Sequence, residues 1–138
     1  MYYSIKNMDA PTPRMYGCEA LEKREILIVG TATRIEWATT IDIDPAAPAD
    51  FVGDGCCMPQ FANGQFQVVI LDFVTNFVPP KRVEAMIREA KRVGRRVMGR
   101  CHVGVGTLPG PKQRYPHSVA PSGVEWIEIR QAEVRHHA

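Results

Sequence analysis

The sequence predicts an α/β fold: an open, mostly parallel sheet with a reduced number of helices, in a three-layer or incomplete sandwich. Several short runs of β-branched and aliphatic residues, residues 26–30 and 66–72 among them, have the length of strands rather than helices. The centres of these runs are apolar without alternation, as in strands covered on both faces of a parallel sheet. Several runs also end in Gly or Asp, which is typical of the ligand-binding carboxyl edge of such a sheet.

Length and composition bound the number of domains. A chain of 138 residues with 45% hydrophobic residues can bury one modest core and is neither disordered nor fibrous. We expect an N-terminal arm or lid at residues 1–24 and a single domain at residues 25–138. Within that domain, residues 104–123 hold four glycines and four prolines, so they are predicted to form a long loop.

Charge and cysteine content exclude several classes of function. A net charge of +2 is too small to indicate a nucleic-acid partner. No apolar run approaches the roughly 20 residues that cross a bilayer. The N-terminus also lacks the features of a signal peptide. We therefore expect a cytoplasmic protein with no membrane partner.

The four cysteines are then expected to be thiols. None forms a C-x-x-C pair, so no metal site is predicted. Cys56 and Cys57 are interpreted as small buried residues beside a ligand loop, with a reactive pair as the alternative.

The first half of the predicted domain holds three strands. Residues 26–30 form the first strand and residues 39–43 the second. The nine residues between Gly30 and Thr40 are fewer than the dozen or so of a normal parallel crossover, so no full helix is expected there. Residues 51–52 form a short third strand. Residues 55–65, with an Asn-Gly turn signal, form an ordered loop.

The second half holds three more strands and one helix. Residues 66–72, 95–103 and 124–134 are predicted strands, the last at the sheet edge. A helix begins near Pro79, since proline is tolerated in a first turn, and ends at Gly94. Its apolar residues recur at helical spacing: Val83, Met86, Ile87, Ala90 and Val93. Five basic residues are interpreted as a solvated helix end that complements the helix dipole: Lys91, Arg92, Arg95, Arg96 and Arg100.

Carboxylates follow three of the predicted strands. Asp42 and Asp44 lie at the end of the second strand, where either can accept hydrogen bonds from a ribose diol. Asp54 follows the third strand and can accept one from an exocyclic amine, while Asp72 ends the fourth. Gly30 lets the backbone approach a ligand closely. Each carboxylate alone has a structural alternative as a helix cap or turn former.

In order and spacing, these motifs resemble class I S-adenosylmethionine-dependent methyltransferases. The resemblance is to their compact branch, in which a short link joins the first two strands. It covers about half of the chain, from Glu25 to roughly Gly99. It rests on residues 26–30, Ile41-Asp42-Ile43-Asp44-Pro45, residues 50–54, Met58-Pro59-Gln60-Phe61 and residues 64–70. The resemblance implies a Rossmann-like fold, S-adenosylmethionine as cofactor and methyl transfer to an acceptor.

The resemblance also implies roles for the matching residues. The methionine part of the cofactor would contact Gly30, Thr31 and Ala32. The ribose would contact Asp42, with Asp44 as the competing candidate. The adenine would lie beside Asp54, Gly55, Cys56, Met58 and Phe61. The reacting methyl group would be bordered by Asp72 and Phe73.

Asp72 is the candidate catalytic base, because methyl transfer needs little beyond alignment and removal of an acceptor proton. His102 and His117 are secondary candidates. The alternative for Asp72 is structural: capping the approach to the Pro79-Pro80 helix start or contacting a backbone amide.

The chain departs from the family pattern at several points. Thr31 and Ala32 stand where the family has further glycines. The short link removes the helix dipole at this point. Gln67 replaces an acidic residue, and Asn76-Phe77 stands where relatives often have Glu-His. The chain also leaves little room for the acceptor-binding additions of larger members.

Three functions therefore stay open. The first is a small methyltransferase. The second is a non-catalytic relative that binds S-adenosylmethionine or a similar nucleoside, or serves as an interaction module. The third, a nicotinamide dinucleotide binder, lacks G-x-G-x-x-G and a helix N-terminus for the pyrophosphate. Amides of residues 30–33 that point into an open pocket facing Asp42 and Asp54 would favour ligand binding, whereas a Thr31 or Arg34 side chain filling that pocket would favour the non-catalytic function. A homodimer is also expected, because the sheet has few covering helices.

Overall fold

The fold is an open Rossmann-like α/β sheet. The computed structural model describes residues 10–31, 33–102 and 124–129. Its strands are β1 (Ile26–Val29), β2 (Thr39–Asp42), β3 (Phe51–Val52), β4 (Phe66–Asp72), β5 (Gly94–His102) and β6 (Val124–Ile129). They form one sheet in the order β3-β2-β1-β4-β5-β6. The first five strands run parallel, and β6 pairs antiparallel with β5.

The strands lie where their apolar runs predict them. The first five begin and end within one residue of the predicted positions. β1 is central, since it pairs with β2 on one side and β4 on the other, and all four of its residues are buried. The absence of alternation in its sequence is thereby explained: both faces of this strand are covered.

The helix α1 (Pro80–Val93) covers one face of the sheet. The five apolar positions predicted from its periodicity are all buried. They pack on the strand residues that point to this side, among them Leu27, Val69 and Val97. No helix in the described part of the chain has the length and apolar character needed to cross a membrane.

The other face is covered by segments without an α-helix. Ile28, Ile70 and Met98 pack there against Tyr16 and Cys18, which precede the first strand. Tyr16 belongs to a 3-10 turn (Arg14–Tyr16), and its side chain has 0% exposure. Residues 10–18 therefore supply part of the hydrophobic core on this side.

The link from β1 to β2 adds to the same layer. Leu27 pairs with Thr39 in parallel register, although the described residues of the link contain no helix. This agrees with the prediction from its nine-residue length. Ile35 and Ala38 of the link are buried against the sheet. Their packing replaces the contribution that a crossover helix would make.

Gly94 does follow the helix, but not as a left-handed stop. Its φ of −123° is extended, and it is the first residue of β5, so the helix passes directly into the strand. A Cβ at this position would lie 2.4 Å from Cγ2 of Val69 and 3.2 Å from the carbonyl oxygen of Ala90. The glycine is needed for this close approach of the chain to β4.

The interpretation of the basic cluster as a solvated helix end is wrong for two of its members, Arg92 and Arg100. Arg95 and Arg96 are exposed. Arg100 has 2% exposure and pairs with Asp72 on the neighbouring strand. Arg92 is half-buried and hydrogen-bonds the loop before β4. These two arginines are thus part of the packed structure.

Candidate functional site

A cavity of about 420 Å³ opens at the carboxyl ends of the central parallel strands. This is the edge at which open α/β sheets bind ligands, and the volume lies in the usual range of ligand pockets. The lining is mostly apolar, with carboxylates and one guanidinium at separate points. It comprises Ala10, Pro11, Val29, Gly30, Thr31, Thr33, Ile35, Ile41, Asp42, Ile43, Gly53, Asp54, Gly55, Asp72, Phe73, Val74, Val78, Met86 and Arg100.

Most of the residues predicted for a site meet in this cavity. Those that line it are Gly30, Thr31, Asp42, Asp54, Gly55, Asp72 and Phe73. Asp44 and Cys56 do not line it. Ala32 and His117 lie outside the described residues, as does the side chain of His102.

The turn after β1 brings the backbone to the cavity. Gly30 has a left-handed φ of +83°, and a Cβ there would lie 2.9 Å from Cγ2 of Val74. The N–H of Thr31 donates to Oδ2 of Asp42 at 2.8 Å, and the Thr31 hydroxyl donates to the carbonyl of Thr33. The exposed Arg34 pairs with Glu36 and is not part of the lining. The arginine side chain therefore does not fill the site.

Asp42 is held in one orientation by backbone amides. Its Oδ2 accepts from Thr31, and its Oδ1 accepts from the N–H of Asp44 at 2.9 Å. Each carboxylate oxygen can accept a further hydrogen bond. Asp44 is exposed, and its own Oδ1 accepts from Ala46 at 2.9 Å. Of the two candidates for a ribose contact, the structure places Asp42 in the cavity.

Asp54 is fixed by the turn that follows β3. Its Oδ1 accepts from the N–H of Cys56 at 2.9 Å, and its Oδ2 accepts from Arg82 of α1 at 2.6 Å. The Cys56 amide, assisted by Arg82, holds the pKa of Asp54 below its ordinary value, although partial burial acts in the opposite sense. Asp54 therefore presents a charged carboxylate at the β3 side of the cavity.

Asp72 is part of a buried hydrogen-bonded cluster. Its Oδ1 accepts from Nε of Arg100 and from the hydroxyl of Tyr16, both at 2.6 Å. Nη2 of Arg100 lies 3.4 Å from Oδ2. Within the described part of the chain, Asp72 is thus bound by two side chains rather than by the start of α1 or a backbone amide. Tyr16 and Arg100 carry no sequence signal of a site, because they lie 56 and 28 residues from Asp72.

Phe73 continues this cluster in an unusual backbone conformation. Its φ is +62°, the left-handed region that L-residues rarely adopt. The N–H of Phe73 donates to the carbonyl of Arg100 at 2.8 Å, and the Arg100 guanidinium lies 4.7 Å from its ring centroid. These contacts hold a strained residue at the cavity wall, a feature common at functional sites.

The predicted contact of Met58 and Phe61 with a base is wrong. Met58 has 0% exposure and Phe61 3%, and both belong to the core beneath α1 rather than to the lining. Phe61 packs edge-on against Phe51 and Phe66. An apolar wall is supplied instead by Ile43, which is 67% exposed and lines the cavity. Ile43 lies in the motif that ends the second strand, but the sequence does not show whether its side chain points to the core or to the cavity.

The cysteines and acidic residues form no further centre in the described part of the chain. The interpretation of Cys56 and Cys57 as small buried residues is wrong for Cys57, which is exposed, while Cys56 is half-buried. None of the four cysteines forms a disulfide in the described part of the chain. Burial raises the pKa of the Cys56 thiol, which disfavours its thiolate. No three of the described His, Cys, Asp and Glu residues are arranged to hold a metal ion.

Comparison with known proteins supports the architecture. A scan against protein families finds no match, and no curated protein matches the sequence. Eight chains of solved structures do match. One is an S-adenosylmethionine-dependent methyltransferase from Methanosarcina mazei, with a TM-score of 0.56 and 16% identity over 88% of this chain and 80% of that chain. At this identity the likeness shows the fold: the chain has the Rossmann-like α/β architecture of that methyltransferase.

Proposed function

We propose that this protein binds S-adenosylmethionine in the cavity and transfers its methyl group to an acceptor. The arrangement of three carboxylates carries the proposal. Asp42 lies at the middle of the cavity edge, Asp54 lies toward β3, and Asp72 lies at the end of β4. This order matches an adenosine that carries a charged substituent. A similar fold is found in the solved structure of an S-adenosylmethionine-dependent methyltransferase.

The residues of the cavity fit this cofactor. Asp42 has acceptor capacity left for a ribose diol, and Asp54 can accept from the exocyclic amine of adenine. Ile43 and Met86 offer apolar surface to the flat faces of a base. Gly53 also lines this end, and a Cβ there would crowd Cδ1 of Ile41 and Nε2 of Gln60, each at 3.0 Å.

The chain itself would contribute alignment, water exclusion and a proton acceptor. When bound, the cofactor supplies an electrophilic methyl group on a sulfonium ion. Phe73, Val74 and Ile35 form an apolar wall that excludes water from this end of the cavity. Asp72 is the proposed base, acting through Oδ2, because Oδ1 already accepts two short hydrogen bonds. Holding an acceptor in line would supply much of the remaining rate enhancement.

A non-catalytic nucleoside-binding protein or interaction module is the second candidate. Two observations favour it. The Thr31 amide is engaged by Asp42, and no helix in the described residues follows β1 to direct its N-terminus at a ligand. A protein of this kind would bind the cofactor, or a related nucleoside, without turnover.

Isothermal titration with S-adenosylmethionine and S-adenosylhomocysteine tests the cofactor site. We expect both to bind with dissociation constants on the order of micromolar. A folded protein that binds neither would exclude the proposed site and leave the interaction module as the working function. Binding of both without transfer to any offered acceptor would favour the non-catalytic candidate.

Asp42→Asn, with Asp44→Asn as its matched control, tests the ribose contact. Both carboxylates accept a backbone N–H two residues further on, at 2.9 Å, but only Asp42 lines the cavity. We expect Asp42→Asn to weaken S-adenosylhomocysteine binding about tenfold, since a charged acceptor is lost, and Asp44→Asn to leave it unchanged. If both variants lose the same amount of affinity, the loss comes from the turn after β2 and not from a ribose contact of Asp42.

The remaining features of the proposal concern context. A cytoplasmic location and a homodimer stay predictions from the sequence. The acceptor, whether a small molecule or a macromolecule, is the partner that the proposed reaction requires. Neither a nucleic acid nor a membrane is proposed as a partner.

A further inference from the structure

Tyr16 reaches the cavity wall from outside the predicted domain. It lies on the 3-10 turn before β1, is fully buried, and donates its hydroxyl hydrogen to Oδ1 of Asp72 at 2.6 Å. Ile28 and Ile70 belong to the same buried cluster as its ring. The apolar contacts would be met by a phenylalanine equally well. The hydroxyl therefore has a separate effect, which is exerted through Asp72.

That effect concerns the two oxygens of the carboxylate. Tyr16 and Nε of Arg100 both bind Oδ1 at 2.6 Å, whereas the contact between Arg100 and Oδ2 is long, at 3.4 Å. Oδ1 thus carries two strong donors, and Oδ2 is the oxygen with acceptor capacity left. Because Asp72 lines the cavity, the two donors select which oxygen is available to a ligand.

The position of Asp72 along the cavity indicates what that ligand group is. β1 and β4 pair Ile28 with Ile70, so Gly30 and Asp72, each two residues further on, end these strands side by side. Asp42 ends β2 on the opposite side of β1. A nucleoside whose ribose contacts Asp42 would extend its 5′ substituent past Gly30 toward Asp72. In the proposed cofactor this substituent carries an α-ammonium group.

We propose that Tyr16 is a positioning residue that presents Oδ2 of Asp72 to the α-ammonium group of the bound cofactor. The inference rests on the proposed cofactor site. It adds that recognition of the amino-acid end depends on a residue of the N-terminal segment. With Oδ2 bound to the ammonium group, Asp72 acts on the cofactor as a charged hydrogen-bond acceptor, and this role replaces that of the base proposed above.

A binding cycle with two ligands and two proteins tests the role of Tyr16. The ligands are S-adenosylhomocysteine and its analogue with hydrogen in place of the amino group. The proteins are the wild type and Tyr16→Phe, which keeps the buried ring. In the wild type we expect the analogue to bind at least about tenfold more weakly than S-adenosylhomocysteine, because a hydrogen bond to a charged group is lost. In Tyr16→Phe that difference should shrink to about twofold, through weaker binding of S-adenosylhomocysteine alone.

Thr40→Val is the matched control. The Thr40 hydroxyl is buried and donates to Oδ2 of Asp50 at 3.2 Å, a hydroxyl–carboxylate contact that does not line the cavity. This variant should lower the melting temperature and leave the ratio of the two affinities at its wild-type value.

The outcomes separate the inference from the proposed function. If Tyr16→Phe lowers the melting temperature but keeps the wild-type ratio, Tyr16 is structural only and the inference is overturned. Equal affinities of the two ligands for the wild type would also overturn it, without any need for the variant. If neither ligand binds the wild type, the cofactor site itself is wrong.

Discussion

Of the glycines that line the cavity, Gly55 has the least room for an added Cβ. A Cβ there would lie 2.6 Å from Cγ1 of Val29 and 3.2 Å from Cε of Met86, and all three residues line the cavity. We expect Gly55→Ala to cost about 1–3 kcal/mol of unfolding free energy, because Val29 in the central strand must shift. The same shift should weaken S-adenosylhomocysteine binding. Urea unfolding and isothermal titration measure the two effects.

Gly64→Ala provides the contrast. Gly64 has a φ of +65°, but no atom lies within 4 Å of its virtual Cβ, and it is not part of the cavity. We expect a loss of about 1–2 kcal/mol from the left-handed conformation, with unchanged ligand binding. If Gly55→Ala binds the ligand as the wild type does, the wall beside Val29 is not a contact surface.

At the scale of single residues, strand-end chemistry could be predicted and tertiary partners could not. The sequence predicts Asp42 and Asp54 as site residues because each carboxylate follows a recognisable strand run. It does not predict the partners of Asp72, since Tyr16 belongs to a segment without periodicity and Arg100 is one arginine among several. Met58 was misplaced for a related reason: an apolar residue in a loop near a site can point to the core or to the ligand, and sequence does not distinguish the two.

At the scale of elements, α1 fixes the loop between β3 and β4. Oε2 of Glu89 accepts from the N–H of Met58 at 2.6 Å, while Nη2 and Nη1 of Arg92 donate to the carbonyls of Met58 and Phe61 at 2.8 and 3.1 Å. Glu89 and Arg92 are also paired with each other at 2.8 Å. The loop thus takes its hydrogen bonds from helix side chains in place of a sheet ladder.

Glu89→Gln tests this attachment through pH. The Arg92 contact, followed by the Met58 amide, holds the pKa of Glu89 below its ordinary value, against the effect of burial. A depressed folded-state pKa stabilises the fold above the unfolded value of about 4.3, and this stabilisation is lost as the pH falls through the folded pKa. We expect Glu89→Gln to melt below the wild type at pH 7 and to approach it as the pH falls below about 4.

Glu84→Gln, at an exposed position of the same helix, is the control for this pH series. It should follow the wild-type melting temperature at every pH. A gap between Glu89→Gln and the wild type that stayed constant down to acidic pH would contradict the assignment of the stabilisation to the ionised carboxylate.

Elements were predictable where a local pattern decides them. The first five strands and α1 follow from apolar runs and helical spacing, which is why their bounds agree with the structure, while residues 130–134 of the predicted last strand lie outside the described residues. The junction at Gly94 does not follow from a local pattern, since the glycine is required by Val69 of another strand. The layer that covers the second face of the sheet could not be predicted from the sequence either, because it consists of irregular segments whose burial depends on the folded sheet.

At the scale of the whole molecule, the sheet is covered by two unlike layers. α1 packs on one face, and residues 10–18 with the β1–β2 link pack on the other. The N-terminal segment thereby contributes both to the core, through Tyr16 and Cys18, and to the cavity, through Ala10 and Pro11. The packing of the core and the lining of the cavity therefore both depend on this one segment.

Thiol labelling during urea unfolding tests whether that segment opens separately from the sheet. Burial raises the pKa of the Cys18 thiol from 9.0 to about 11, and its side chain is 1% exposed. Cys101 in β5 is fully buried, whereas Cys57 is exposed. We expect iodoacetamide to modify Cys57 in the native protein, and Cys18 and Cys101 only with the global transition, at one shared urea midpoint. Peptide mapping by mass spectrometry measures each site. Modification of Cys18 well below the midpoint for Cys101 would instead identify the N-terminal segment as a lid that opens while the sheet stays folded.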